Sequence, residues 1–178
     1  MAHTIHTPPR TIMEVYKMLP EGTLAELIDN IIYMAPTPLF NHQNTSTELV
    51  TAINLFLKKS KKGIVIAAPF DVYLDETSNA VQPDIIIVLN DQSDIINKKG
   101  HIHGVPAILI EILSEGNKNQ DLIRKKDLYE RFGVQEYHIV DPETKLVMTF
   151  ELINGKYEKV KEVINTLSSK LLQQDFQF

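Results

Sequence analysis

No cysteine occurs in the 178 residues, which excludes disulfides and thiolate metal sites. That absence fits a reducing compartment, and the expected location is cytoplasmic. No run approaches the roughly 18 to 20 apolar residues of a membrane span, and the first residues contain no apolar signal-peptide stretch. A membrane is therefore not expected as a partner. Positive charge is not in excess either: 18 Lys and Arg against 23 Asp and Glu leave a net charge of −5. Such a balance does not advertise a nucleic-acid binder unless cations gather locally. The run Lys58-Lys59-Ser60-Lys61-Lys62 reads first as a solvated helix end, where cations suit the helix dipole. There is no Gly-rich phosphate loop and no G-x-S-x-G element, so nucleophilic serine chemistry is unsupported. His101 and His103 lie in a polar stretch between Gly100 and Gly104 and read as solvated histidines rather than zinc ligands. His42 opens a helix, with no second histidine at ligand spacing.

What is present is ordinary globular composition, 43% apolar and 23% charged, in a length suited to one domain over residues 1–178. Thr11 to Leu19 reads as a short helix, with Thr11 as N-cap and Glu14 as its box partner. Leu24 to Ile28 and Ile31 to Met34 read as strands joined by the turn Asp29-Asn30. A long helix is expected from about Asn41 to Lys59, with Leu49, Ile53, Phe56 and Leu57 on one face. Ile64 to Leu74 reads as one strand bent at Pro69, and Pro83 to Leu89 and Pro106 to Leu113 as two more. Asn90 to Gly104 is a polar loop or short helix between those two strands. A helix from Asn119 to Phe132 precedes strands Tyr137 to Val140, Lys145 to Leu152 and Tyr157 to Val163, the last two joined through Asn154-Gly155. The pattern is α/β (α+β) with a mixed sheet. Strand, helix, strand around residue 125 predicts a right-handed parallel crossover; the earlier strands should be antiparallel.

Two carboxylates stand where carboxylates should not be. Asp84 opens the run Ile85-Ile86-Ile87-Val88-Leu89, and Glu111 interrupts Ile108-Leu109-Ile110-Glu111-Ile112-Leu113. Both runs are short, continuous and β-branched, as buried strands are. Losing hydration there costs several kcal/mol unless the charge is paired. Alternation puts Asp84 with Ile86 and Val88, and Glu111 with Leu109 and Leu113. On neighbouring strands the two carboxylates would converge at one end of the sheet and could hold Mg²⁺ or Mn²⁺ through oxygen ligands. Lys125 falls within the apolar stripe formed by Leu122, Leu128, Tyr129 and Phe132, so its ammonium should reach inward, towards a carboxylate or a phosphate. A purely structural ion pair between Lys125 and Glu111 explains the same residues.

Pro83-Asp84, Glu111-Ile112-Leu113-Ser114, Asp121-x-x-x-Lys125-x-x-x-Tyr129 and Gly133-Val134-x-Glu136-Tyr137-x-Ile139-Val140-Asp141-Pro142 together resemble the Uma-type putative restriction endonuclease family of the PD-(D/E)XK nuclease superfamily. Glu26-Leu27-Ile28-Asp29 and His42 match the family's N-terminal pattern. The resemblance implies a restriction-endonuclease-like core with an added N-terminal hairpin and C-terminal strands. It implies Mg²⁺-dependent (or Mn²⁺-dependent) hydrolysis of DNA phosphodiesters, with Asp84 and Glu111 as metal ligands and Lys125 as the catalytic lysine. Glu26 and His42 enter as a further acid and a hydrogen-bonding group, and a homodimer is a further possibility. One departure stands out: the superfamily's lysine two residues after the glutamate is Leu113 here, and Lys125 on the following helix takes its place. Two other readings remain open: a non-catalytic nucleic-acid- or protein-binding module of the same fold, and a metal-dependent hydrolase of a small substrate. For an acidic chain that acts on DNA, the expected phosphate-facing cations are Lys98, Lys99 and Lys118, with Arg124 and Lys125 nearby.

Overall fold

Strands made of unbroken apolar runs must be buried on both faces, and two such strands organise the chain. In a computed structural model, residues 8–97, 100–114 and 120–178 are described. A six-stranded sheet contains β3 (Gly63–Ala67), β6 (Ile85–Leu89), β8 (Ile108–Ile112), β9 (Glu136–Val140), β10 (Leu146–Ile153) and β11 (Lys156–Ile164). Their order is β11-β10-β9-β8-β6-β3, and β8 and β6 occupy the interior. β6 is antiparallel to both β3 and β8, and β8 runs parallel to β9 across the expected crossover. Among the described residues no helix is long and apolar enough to cross a membrane.

Side-chain alternation divides the core into two layers. Ile85, Ile87, Ile108, Ile110 and Ile112 point to one face, where Leu49, Ile53 and Leu57 of helix α2 (Phe40–Ser60) cover them. Ile86, Val88, Leu109 and Leu113 point to the other, against Leu128 and Tyr129 of helix α3 (Lys126–Phe132). Burial of each such side chain contributes about 1.5–3 kcal/mol. The second face is also covered by a five-stranded sheet of order β2-β1-β5-β4-β7. It comprises β1 (Ala25–Ile28), β2 (Ile31–Met34), β4 (Val72–Tyr73), β5 (Ala80–Val81) and β7 (Ile102–His103). Short helix α1 (Ile12–Lys17) packs Met13 and Tyr16 on this smaller sheet.

The structure corrects several expectations. Residues 64–74 are not one bent strand: β3 ends at Ala67, and β4 belongs to the other sheet. Pro69 lies at the crossing, where a residue without an N–H cannot extend a ladder. Asn90–Ile95 forms the short helix that the polar stretch allowed, as a 3-10 helix, but the same stretch also holds the unanticipated strand β7. Glu14 does not close the capping box. Thr11 Oγ1 accepts from the Glu14 N–H, but the Glu14 carboxylate accepts from Arg10 N–H instead. Two strands, β12 (Thr166–Ser169) and β13 (Gln174–Gln177), pair at the C-terminal end and were not anticipated, because their segments are short and polar. Glu136 anchors them: it is buried and accepts hydrogen bonds from Ser169 Oγ and Leu171 N–H, both at 2.6 Å.

The hairpin that carries Glu26 is held by its turn. Asp29 and Asn30 both have positive φ, 48° and 63°, the conformation that Asp and Asn tolerate and tight hairpins need. Asn79 Oδ1 accepts the Asp29 N–H at 2.9 Å, and Asp75 in turn organises residues 75–79. Burial raises the pKa of Asp75, but hydrogen bonds from Asn79, Ser78 and Thr77 outweigh it and hold the carboxyl well below the usual range. Its stabilisation is therefore present above the unfolded value of about 3.9 and fades as pH falls towards the depressed folded value. Asp75→Ala should lower stability by about 1–3 kcal/mol at neutral pH. Denaturant titrations should show the gap between variant and parent narrowing below about pH 4. A gap independent of pH would exclude the charge as its origin.

Candidate functional site

Asp84 immediately precedes β6, and β6 pairs with β8 so that Ile85 faces Ile110. Continuing that register by one residue sets Asp84 across from Glu111. The two carboxylates thus lie at one end of two paired strands, on the face towards α3. Asp84 Oδ2 accepts the Ile112 N–H at 2.7 Å, so the strand that bears Glu111 also fixes Asp84. From the opposite layer, α2 begins at Phe40 and brings the buried His42 Nε2 to 3.2 Å from Asp84 Oδ2.

Lys125 points inward. Its Nζ is 2.9 Å from Glu111 Oε1 and 2.9 Å from Glu26 Oε1, and all three side chains are buried. The helix here departs from simple periodicity: Gln120–Lys125 is a π turn, and α3 follows directly. The inward phase of Lys125 survives because Leu128 and Tyr129, three and four residues on, lie on its α-helical side. Such widened turns recur at functional sites. Asn119, where the helix was expected to start, is outside the described residues.

Sequence reasoning did not assign two further contacts. Tyr129, expected only as a core residue, donates its OH to Glu111 Oε1 at 2.7 Å. Burial, then the negative charge of Glu111, pushes its pKa well above the ordinary phenol value, so it stays a neutral donor. The signal was available, since Tyr129 lies four residues after Lys125 and both must then project to one side. The second contact, Gln82 N–H to Glu26 Oε1 at 2.8 Å, is a backbone contact and carries no residue-type signal.

All five residues singled out from the sequence therefore meet at one place: Glu26, His42, Asp84, Glu111 and Lys125 line a single cleft of about 560 Å³. Counted formally, the three carboxylates Glu26, Asp84 and Glu111 against the one ammonium carry two negative charges in excess, the charge of one divalent cation. The donor set fits such an ion: two carboxylates on paired strands supply hard oxygens. Mg²⁺ needs only one or two protein carboxylates, completing its shell with water and substrate phosphate. Among the described residues no larger His, Asp and Glu cage is gathered, and His103 is occupied elsewhere, stacked on Tyr73 and hydrogen-bonded to Glu76.

The wall of the cleft adds Asp141 and Glu143. Asp141 Oδ1 accepts the Glu143 and Thr144 N–H groups of a turn, and Glu143 accepts from Asn41. The lysine run at residues 58–62 is not part of this site. It closes α2, a helix of 21 residues, at the end roughly 27 Å from His42. Lys61 there adopts the left-handed cap conformation. Lys98, Lys99 and Lys118, the favoured phosphate-facing residues, lie outside the described residues.

The geometry can be set beside known proteins. A crystal structure of a putative nuclease belonging to DUF820 from Anabaena variabilis superposes with a TM-score of 0.67 at 22% identity, covering 84% of this chain and 83% of that one. At that identity the likeness concerns the fold. A second structure, the type IIG restriction endonuclease BpuSI, matches at 10% identity with a TM-score of 0.41, over 76% of this chain and 15% of that one, too low to carry an argument. No curated protein matches the sequence. The sequence model of the Uma2 family, described as putative restriction endonuclease, matches residues 13–178. With nearly the whole sequence inside that match, the chain belongs to the Uma2 family.

Proposed function

We propose that the protein is a metal-dependent nuclease that hydrolyses phosphodiester bonds in DNA, with Asp84 and Glu111 as the Mg²⁺ or Mn²⁺ ligands. The observation that carries the proposal is the buried Lys125 ammonium, held 2.9 Å from Glu111 in a cleft that a second, cross-strand carboxylate also lines. The ion, when bound, would polarise a phosphoryl oxygen and make a water more acidic. The chain's own residues do the rest. Ile112 N–H and His42 hold Asp84 in place. Tyr129 OH and Lys125 both hold Glu111 Oε1, which fixes the orientation of that carboxylate. Glu26, itself held by Gln82 N–H, keeps the Lys125 ammonium in the lining of the cleft. There Lys125 can offset the negative charge that grows on phosphorus oxygens as water attacks and the sugar oxygen leaves.

One observation favours a second reading. Among the described residues, the cleft wall holds five carboxylates, Glu26, Asp84, Glu111, Asp141 and Glu143, and Lys125 alone of the lysines and arginines. A small phosphoester needs less positive potential than a duplex, so a hydrolase of a small substrate fits that balance.

Incubation with supercoiled, linear and single-stranded DNA, and with a chromogenic phosphodiester, in Mg²⁺, Mn²⁺ or EDTA tests both. Metal-dependent scission of DNA is expected. Turnover of the small ester with intact DNA would move the assignment to the second reading, and no turnover of either would leave a binding module.

A further inference from the structure

A cleft this acidic needs a cation beside it if a polyanion is to enter, and Lys125 is already committed to two carboxylates. Several exposed basic side chains elsewhere on the molecule are also committed. Lys17, Arg131, Lys156 and Lys170 sit 2.8–2.9 Å from Glu76, Asp29, Glu130 and Glu151. Arg124 is different. It is exposed, and among the described residues it pairs with no carboxylate. Its guanidinium carbon instead lies 4.2 Å from the centroid of the Tyr33 ring.

The position of that ring matters. Tyr33 is the cross-strand partner of Glu26 in the β1–β2 hairpin, so the two side chains stand side by side on one face. Consecutive residues of one helical turn thus grip one hairpin face: Lys125 holds Glu26, and Arg124 lies over Tyr33. An aromatic face restrains a planar guanidinium without using its N–H groups, which lie in the plane of the ion and remain available. The result is a pre-oriented cation, open to solvent, one strand away from the carboxylate cluster. Structural packing alone would not require an arginine there, since an apolar side chain would cover Tyr33 equally well.

Resting on the nuclease reading, we infer that Arg124, held on Tyr33, forms a phosphate subsite that binds a backbone phosphate of the nucleic-acid strand next to the one being cleaved. The guanidinium fork matches two phosphate oxygens, and the arrangement orients the strand along the β1–β2 hairpin as it enters the cleft. Arg124 is a binding residue in this scheme, distinct from Lys125, which faces the reacting phosphate.

Binding of the full-length protein to a short labelled duplex, and to its single strand, in Ca²⁺ across a salt series tests this. Arg124→Gln should bind about tenfold more weakly, as for one lost charge-assisted contact. Its log–log salt slope should flatten by roughly 0.9 on duplex or 0.7 on single strand, the share of one phosphate. Arg124→Lys should keep the slope but lose affinity, because a lysine keeps the charge without the planar fork. Tyr33→Leu should lose affinity in the same direction. In cleavage assays the loss in Arg124→Gln should fall more on KM than on kcat. Parental affinity and slope in Arg124→Gln, or a lowered Tm with an unchanged slope, would overturn the subsite while leaving the nuclease reading intact. A parent protein that binds no nucleic acid overturns both.

Discussion

Lys125→Met is expected to reduce cleavage by about 10²–10³-fold, the range for removing one preorganised charge from a reacting oxyanion. The methionine fills most of the volume of the lysine stem, and packing alone would predict little change in stability. The ion pairs alter that expectation. Lys125 Nζ bridges Glu26 and Glu111, both buried, so the variant strands two carboxylates beside each other without a counter-charge. Breaking a buried pair in this way costs about 3–5 kcal/mol. Activity and stability should therefore fall together, which would leave the catalytic role ambiguous if the single variant were the only measurement. Glu26→Gln in the same chain separates them. The glutamine oxygen can still accept the Gln82 N–H, and one of the two stranded charges is gone. The double variant should recover much of the lost Tm and none of the lost cleavage. Recovery of both would assign Lys125 to charge balance alone. A Lys125→Met protein as active as its parent would exclude it from the chemistry.

The site was legible in the sequence to the extent that residues stood against their local pattern. Asp84 and Glu111 broke apolar runs, and Lys125 broke an apolar stripe; each anomaly marked a group that needs a partner, and the structure brings Glu111 and Lys125 into contact. Glu26 carried no such anomaly, because β1 is short and its alternation weak; only the resemblance to a family singled it out. The π turn at Gln120–Lys125 was invisible because its residues have ordinary helix propensities. The central antiparallel and parallel pairings were legible from the lengths of the connections. The division of residues 64–74 between two sheets was not, since the run is apolar on both sides of Pro69 and sheet membership is a tertiary property. Likewise β12 and β13 take an anchor from Glu136, on another strand, a tertiary contact that the residue pattern of Thr166–Ser169 and Gln174–Gln177 does not announce.

Asp84→Asn is expected to abolish both cleavage and the stabilisation of the protein by Mg²⁺ or Mn²⁺, without destabilising the metal-free protein. Counted formally, Glu26, Asp84 and Glu111 against Lys125 leave two net negative charges in the cleft lining, and in the absence of a cation these repel. An asparagine oxygen can continue to accept the Ile112 N–H, so the local geometry persists while one repelling charge is removed. The metal-free variant should then melt at or slightly above the parental Tm. The parent, in contrast, gains from ligand linkage: a cation at one hundred times its Kd stabilises by about 2.7 kcal/mol. For a chain of this size that corresponds to a rise in Tm of roughly 5–10 °C. Thermal melts of parent and Asp84→Asn, each in EDTA and in increasing Mn²⁺, measure the two effects with no substrate present. The parental Tm should climb with Mn²⁺ and the variant's should not. Glu111→Gln should also lose the Mn²⁺ response, but from a lower starting Tm, because a neutral amide weakens the contacts of Lys125 and Tyr129 with Oε1. An Asp84→Asn protein that still gains stability from Mn²⁺ as the parent does would place the cation elsewhere. A parent indifferent to Mn²⁺ would return the carboxylate–lysine cluster to a purely structural role.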